Sequence, residues 1–129
     1  MAFRPDLSTV REARELLSRY LPVTPLVAAP SFSSDTAPVY LKLDTNLPTN
    51  SFKPRGALYA LATNLSHRKI TEVTASSTGN HGAAVAYAAK MLGVPATIFL
   101  PSNPNPVKRE KIRELGARIL ESGDRKSVV

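Results

Sequence analysis

The chain predicts an α/β fold built on a parallel sheet, and three features of its second half carry that prediction. From Ile70 onward, short β-type runs alternate with stretches of helical period, as successive strand–helix–strand units require. Ala96-Thr97-Ile98-Phe99-Leu100 is almost wholly apolar, as befits a strand of a buried parallel sheet. Gly93 and Gly116 each stand where a helical run stops, and glycine is the usual residue just past a helix end.

Taken in order, Thr9 and Glu12 have the spacing of a capping box. Val10, Ala13, Leu16, Leu17, Tyr20 and Leu21 follow at helical spacing, so the expectation is a helix over 9–21 that Pro22 and Pro25 end. Residues 22–38 contain four prolines and a Ser/Thr cluster and read as an irregular connection. A short strand is expected over 39–43, then a polar loop to Asn50, then a helix from Pro54 to about Leu65. Ser66 to Lys69 reads as a basic surface turn with His67 exposed. A strand over 72–76 leads through a turn at Gly79 into an alanine-rich helix ending at Leu92. The strand at 96–100 precedes a helix that Pro106 begins and Gly116 ends, and a third strand covers 117–121. The change of pattern near 66–70 marks the expected domain boundary, dividing 1–66 from 67–129.

Composition narrows the function. The chain has 129 residues, enough for one domain with a core. Seventeen Lys and Arg against ten Asp and Glu give +7, which favours anionic partners. The basic run Lys108 to Glu114 is interspersed with Glu and lacks aromatic residues, so it reads as a solvated helix face rather than a nucleic-acid surface. Without cysteine there is no disulfide and no thiolate catalysis. No zinc-ligand spacing, signal-peptide pattern or membrane-length apolar run occurs. The expectation is a soluble, cytoplasmic protein with a small-molecule partner and neither nucleic acid nor membrane.

Two motifs carry chemistry. In Asn50-Ser51-Phe52-Lys53-Pro54-Arg55-Gly56, proline disfavours a helical residue before it and suits a helix start, so Lys53 is placed at the mouth of a helix. The positive end of that helix and nearby Arg55 both disfavour an ammonium, and a neutral amine is what Schiff-base chemistry needs. Arg55 itself reads as structural. In Ser76-Ser77-Thr78-Gly79-Asn80-His81-Gly82, a strand delivers small hydroxyl residues to a helix start. Backbone N–H groups there bind a carboxylate or phosphate; the same residue types also serve simply as helix caps.

Together the motifs, 27 residues apart from Lys53 to Asn80, resemble the lysine segment and the Ser-x-Gly-Asn-His loop of fold-type-II pyridoxal-phosphate enzymes. Thr24-Pro25-Leu26, Tyr40 to Asp44 and Leu115-Gly116-Ala117 fall where that family has similar segments. The threonine/serine dehydratases and serine racemases look most similar. The resemblance implies a tryptophan synthase β-like, three-layer αβα fold, incomplete here. Residues 1–66 then belong to a large cofactor-binding domain, and 67–129 to a small domain with a parallel sheet. It implies pyridoxal 5'-phosphate as cofactor, with Lys53 as Schiff-base lysine and proton shuttle and Asn80 bonded to the cofactor's phenolic oxygen. Phe52 lies close to the cofactor, while Ser77, Thr78, Gly79, Asn80 and His81 surround the substrate carboxylate. The activity implied is β-elimination of threonine or serine to a 2-oxo acid and ammonia, by a homo-oligomer. The alternatives are β-replacement as in threonine or cysteine synthases, racemisation, or a non-catalytic basic binding module.

Several positions depart from the family pattern. Asn50 stands where glycine is common and Asp44 where glutamate is common. Thr78 takes the place of the serine that serves racemases as second proton donor, and its β-branch restricts the rotamer, which favours elimination. The family is more than twice as long, and its glycine-rich phosphate loop is expected beyond Val129. The chain therefore reads as an amino-terminal fragment, inactive alone and poorly soluble. One codon choice for Asp124 to Val129 plus a stop reproduces a widely used sequencing adapter, so 124–129 reads as a non-native tail, although other codons give the same peptide.

Overall fold

A computed structural model describes residues 6–77 and 79–123; the expected tail at 124–129 and Thr78 lie outside the described residues. In chain order the elements are α1 (Leu7–Leu17), β1 (Leu26–Ala28), β2 (Tyr40–Lys42), α2 (Lys53–His67), β3 (Val73–Ser76), α3 (Asn80–Leu92), β4 (Ala96–Leu100), α4 (Pro106–Glu114) and β5 (Arg118–Glu121). Single 3-10 turns occupy Pro30–Phe32 and Asp44–Asn46.

The second half folds as its alternation requires. β3, β4 and β5 form a parallel sheet in that spatial order, with Ala75 beside Ile98 and Ile98 beside Ile119. Helices α3 and α4 supply the two crossovers and pack on the face that carries Ile98. Gly93 takes φ 68° after α3 and Gly116 takes φ 82° after α4. These are left-handed positions that glycine fills without a Cβ penalty. Asn105 caps α4 by accepting from the N–H groups of Val107 and Lys108, and Pro106 begins it.

The core lies around α3, which is packed by α2 on one side and by β3 and β4 on the other. Its alanines 84, 86, 88 and 89 are buried; small side chains let both neighbours approach closely. Leu58 of α2, Ile98 of β4 and Ile112 of α4 are fully excluded from water. Each such side chain contributes roughly 1.5–3 kcal/mol by burial. On the opposite face of the sheet Phe99 remains 39% exposed, while Thr97 beside it on β4 is buried.

The first half corrects three expectations. The capping box is Asp6 with Thr9, not Thr9 with Glu12: Asp6 Oδ1 accepts from the Thr9 N–H at 2.8 Å and Thr9 Oγ1 accepts from the Asp6 N–H at 3.1 Å. Asp is the stronger cap, so α1 starts earlier, and it ends at Leu17, short of the prolines. The connection over 22–38 is not wholly irregular, because β1 pairs antiparallel with β2, Val27 opposite Leu41. Three residues between Pro25 and Pro30 show no period of their own; the pairing partner alone makes them a strand. Finally, α2 begins at Lys53 itself, with Pro54 at the second position. Helix ends of this kind are defined only to within a residue or two.

Tyr87 ties the two halves together by donating its hydroxyl to the Tyr20 carbonyl at 3.1 Å, and burial pushes its phenol up. No helix among the described residues is long and apolar enough to cross a membrane.

Candidate active site

The lysine segment is rigid by construction. Leu47, Thr49, Ser51 and Pro54 are buried around the turn that enters α2, and the Thr49 and Ser51 hydroxyls lie 3.3 Å apart. Between them Asn50 takes φ 55°, a left-handed conformation that asparagine tolerates better than most residues. This turn delivers Lys53 to the first position of α2, where unsatisfied N–H groups cluster. Its Nζ rests 4.7 Å from the centroid of the Phe52 ring, a cation–π contact.

Arg55 is engaged in a polar network. Its Nη2 pairs with Asp44 Oδ1 at 3.0 Å and its Nε donates to Asp44 Oδ2 at 3.3 Å. Thr24, itself buried, donates its hydroxyl to Asp44 Oδ1 at 2.7 Å, and Lys42 Nζ donates to the Thr24 carbonyl. The Arg55 hydrogen bonds, then that from Thr24, hold the Asp44 carboxyl below its ordinary range. The Arg55 charge expected to act on Lys53 is therefore paired with a carboxylate.

The second segment leaves β3 at Ser76. The Ser77 N–H donates to the Phe99 carbonyl at 3.2 Å, and Ser77 Oγ accepts from the Gly79 N–H at 3.2 Å. Gly79 is the extended residue that precedes α3, and Asn80 and His81 are its first two residues, both exposed. Gly82 is the residue that sequence reasoning did not single out. A Cβ there would sit 2.7 Å from the Ser77 carbonyl oxygen and 3.1 Å from Ile98 Cγ2. Only a glycine lets α3 pass this close to the turn. Lys108 was also missed, being read with its solvated run: its Nζ lies 3.9 Å from where a Cβ on Gly79 would stand. Nothing in the spacing of 108–114 signals that approach.

Phe52, Lys53 and His81 open onto one cavity of about 580 Å³, within the usual size range of small-molecule sites. Gly56, Ala57, Leu61, Val85 and Ala88 supply mostly apolar walls. Ser77, Gly79 and Asn80 are not among its lining residues; they stand at the start of the helix that carries His81. The arrangement places a lysine amine beside a mostly apolar cavity, with the N-terminus of α3 close by.

Residues 17–128 match the pyridoxal-phosphate dependent enzyme family. Threonine dehydratase, mitochondrial, of Schizosaccharomyces pombe is 42% identical over 101 residues, 78% of this chain and 17% of that protein. The L-threonine ammonia-lyase of Thermotoga maritima is 35% identical over 119 residues, 92% of this chain and 30% of that protein. Among solved structures, a pyridoxal 5'-phosphate-dependent aspartate racemase superposes with a TM-score of 0.83 at 28% identity, over 94% of this chain and 39% of that one. The fold and the lysine-bearing cavity thus define an α/β enzyme of the fold-type-II class. The chain belongs to the pyridoxal-phosphate dependent enzyme family, whose cofactor is pyridoxal 5'-phosphate. The chain spans about a third or less of the length of these curated relatives.

Proposed function

We propose that these residues carry the lysine half of an ammonia-lyase site that acts on threonine or serine. The observation that supports it is the shared cavity of Lys53, Phe52 and His81, at the foot of the helix that Ser77 and Gly79 introduce. The cavity fits the cofactor's ring: Lys53 reaches it from one wall, and Ala57, Leu61 and Val85 keep it apolar.

Bound there, the cofactor supplies an electron sink that weakens the substrate's α-C–H bond. Lys53 Nζ would hold the cofactor and would take the substrate's α-proton. Phe52, whose ring centroid lies 4.7 Å from Lys53 Nζ, would stand beside the bound cofactor. Ser77, Thr78, Gly79, Asn80 and His81 would receive the substrate carboxylate, for which the unsatisfied N–H groups of the first turn of α3 are suited; Asn80 would also donate to the cofactor's phenolic oxygen. The β-C–O bond would break with the hydroxyl leaving as water on the proton that Lys53 has taken up, and hydrolysis of the released enamine would give a 2-oxo acid and ammonia. In this reading 1–66 is the opening of the larger cofactor domain and 67–129 the smaller one.

Pyridoxal phosphate followed by borohydride reduction tests the assignment. Peptide mass mapping is expected to find the label chiefly on Lys53 and to lose it in Lys53→Ala. A label spread over the exposed lysines in proportion to their accessibility overturns it. Racemisation is the second reading, favoured by the likeness to the aspartate racemase structure. In a chain extended to the relatives' length, chiral analysis separates inverted amino acid from released 2-oxo acid.

A further inference from the structure

The lysine turn and helix α4 are joined by one bond that no local pattern announces. Asn50 Oδ1 accepts from Lys111 Nζ at 2.5 Å, across 61 residues. Asn50 is the only non-glycine residue with positive φ among the described residues, and its N–H donates to the Leu47 carbonyl at 2.7 Å. The turn is thus fixed on its inner side by buried Thr49 and Ser51 and on its outer side by Lys111. A glycine at position 50 would satisfy the backbone but remove the acceptor.

Lys111 is itself placed. The next residue, Ile112, is fully buried, with Cδ1 3.4 Å from where a Cβ on Gly82 would stand. Helix α4 is therefore seated on the opening turn of α3, which follows the Ser77–Gly79 segment. From that seat Lys111 reaches back to the residue three before Lys53.

We infer that Asn50 and Lys111 form a strap that positions Lys53 relative to the Ser77–Gly82 turn. Both are positioning residues acting through the 47–53 turn. The importance of Lys53 rests on the function proposed above; the strap rests on Asn50, Lys111 and Ile112.

Hydrogen exchange of the Asn50 amide, which donates to the Leu47 carbonyl, tests the strap without any cofactor. Lys111→Met is expected to accelerate that exchange about three- to tenfold, the factor corresponding to one charge-assisted bond. Exchange in the last turn of α4 stays as it was, Lys111→Arg restores the protection, and Lys111→Met adds nothing in an Asn50→Gly background. Borohydride-trapped labelling of Lys53 by pyridoxal phosphate slows with the same pattern across the variants. Unchanged exchange at Asn50, a loss of protection that spreads through α4, or failure of arginine to rescue overturns the strap. If the parent chain takes no label on Lys53, the proposed function falls, and the exchange series alone decides the strap.

Discussion

Helix α1 buries none of its residues and every residue of β1 and β2 is exposed, whereas α3 buries Gly82, Ala83, Ala84, Ala86, Ala88 and Ala89. The two regions hold their shape by different means. Before Lys53, only Leu21, Ala29 and Leu47 are buried apolar side chains among the described residues, and polar contacts add to them: the Asp6 cap, the ribbon hydrogen bonds and the Arg55–Asp44–Thr24 network. After Lys53, it comes from close packing of small and branched side chains around α3. Lys53 stands at the junction, after a turn held by both kinds of force and at the head of a helix held by the second. A polar network tolerates loss of one member at modest cost, while a packed core does not.

Substitutions sharpen that contrast. Ile112→Ala empties a fully buried position under the Gly82 turn, and denaturant unfolding is expected to show a loss of about 2–5 kcal/mol. Next is Gly82→Ala, whose methyl meets the Ser77 carbonyl rather than a yielding side chain. Overpacking of this sort costs about 1–3 kcal/mol, and amide shifts should concentrate at Ser77 and Gly79. Equal loss from Leu41→Ser would break the comparison. Leu41 is 45% exposed on the ribbon, and its replacement should fall within about 0.5 kcal/mol of the parent.

Acid separates the regions differently. Asp44 is held below its ordinary value of 3.8 by Arg55 first and Thr24 second. A carboxylate so depressed contributes stability above its unfolded value, and that contribution is lost as pH falls through the folded value. Thermal melts from pH 5 downward should therefore lose stability below about pH 4. In Asp44→Asn the acid-dependent part shrinks, at a cost near neutrality of about 0.5–1 kcal/mol for a partly exposed pair. Asp6 at the α1 cap is lowered by its bonds from Thr9 and Ser8, so a residual slope remains. An Asp44→Asn melt with the parent's full acid slope would show that the network does not organise the first half.

Much of this was legible locally. The β–α alternation after Ile70, the glycine stops at Gly93 and Gly116 and the proline start at Pro106 stand in the structure at those positions. The two motifs also led to the family. Lys53 and His81 open onto one cavity, whereas Ser77, Gly79 and Asn80 stand at its approach rather than on its wall. The α1 cap was misjudged because Thr9 serves equally as cap or as third residue of a box, and only the bond from Asp6 decides which.

Short-range chemistry thus settled the strands and helices after Ile70, the glycine stops after α3 and α4, and that a lysine sits at a helix mouth. These depend on period, φ preference and capping, all written within a few residues. Tertiary structure decided the pairing of β1 with β2, the capture of Arg55 by Asp44 and Thr24, the glycine-only approach at Gly82, and the bond from Lys111 to Asn50. Such contacts join positions up to 61 residues apart. They leave no period behind, because each depends on where the packed core places two surfaces rather than on what stands beside either residue in the chain.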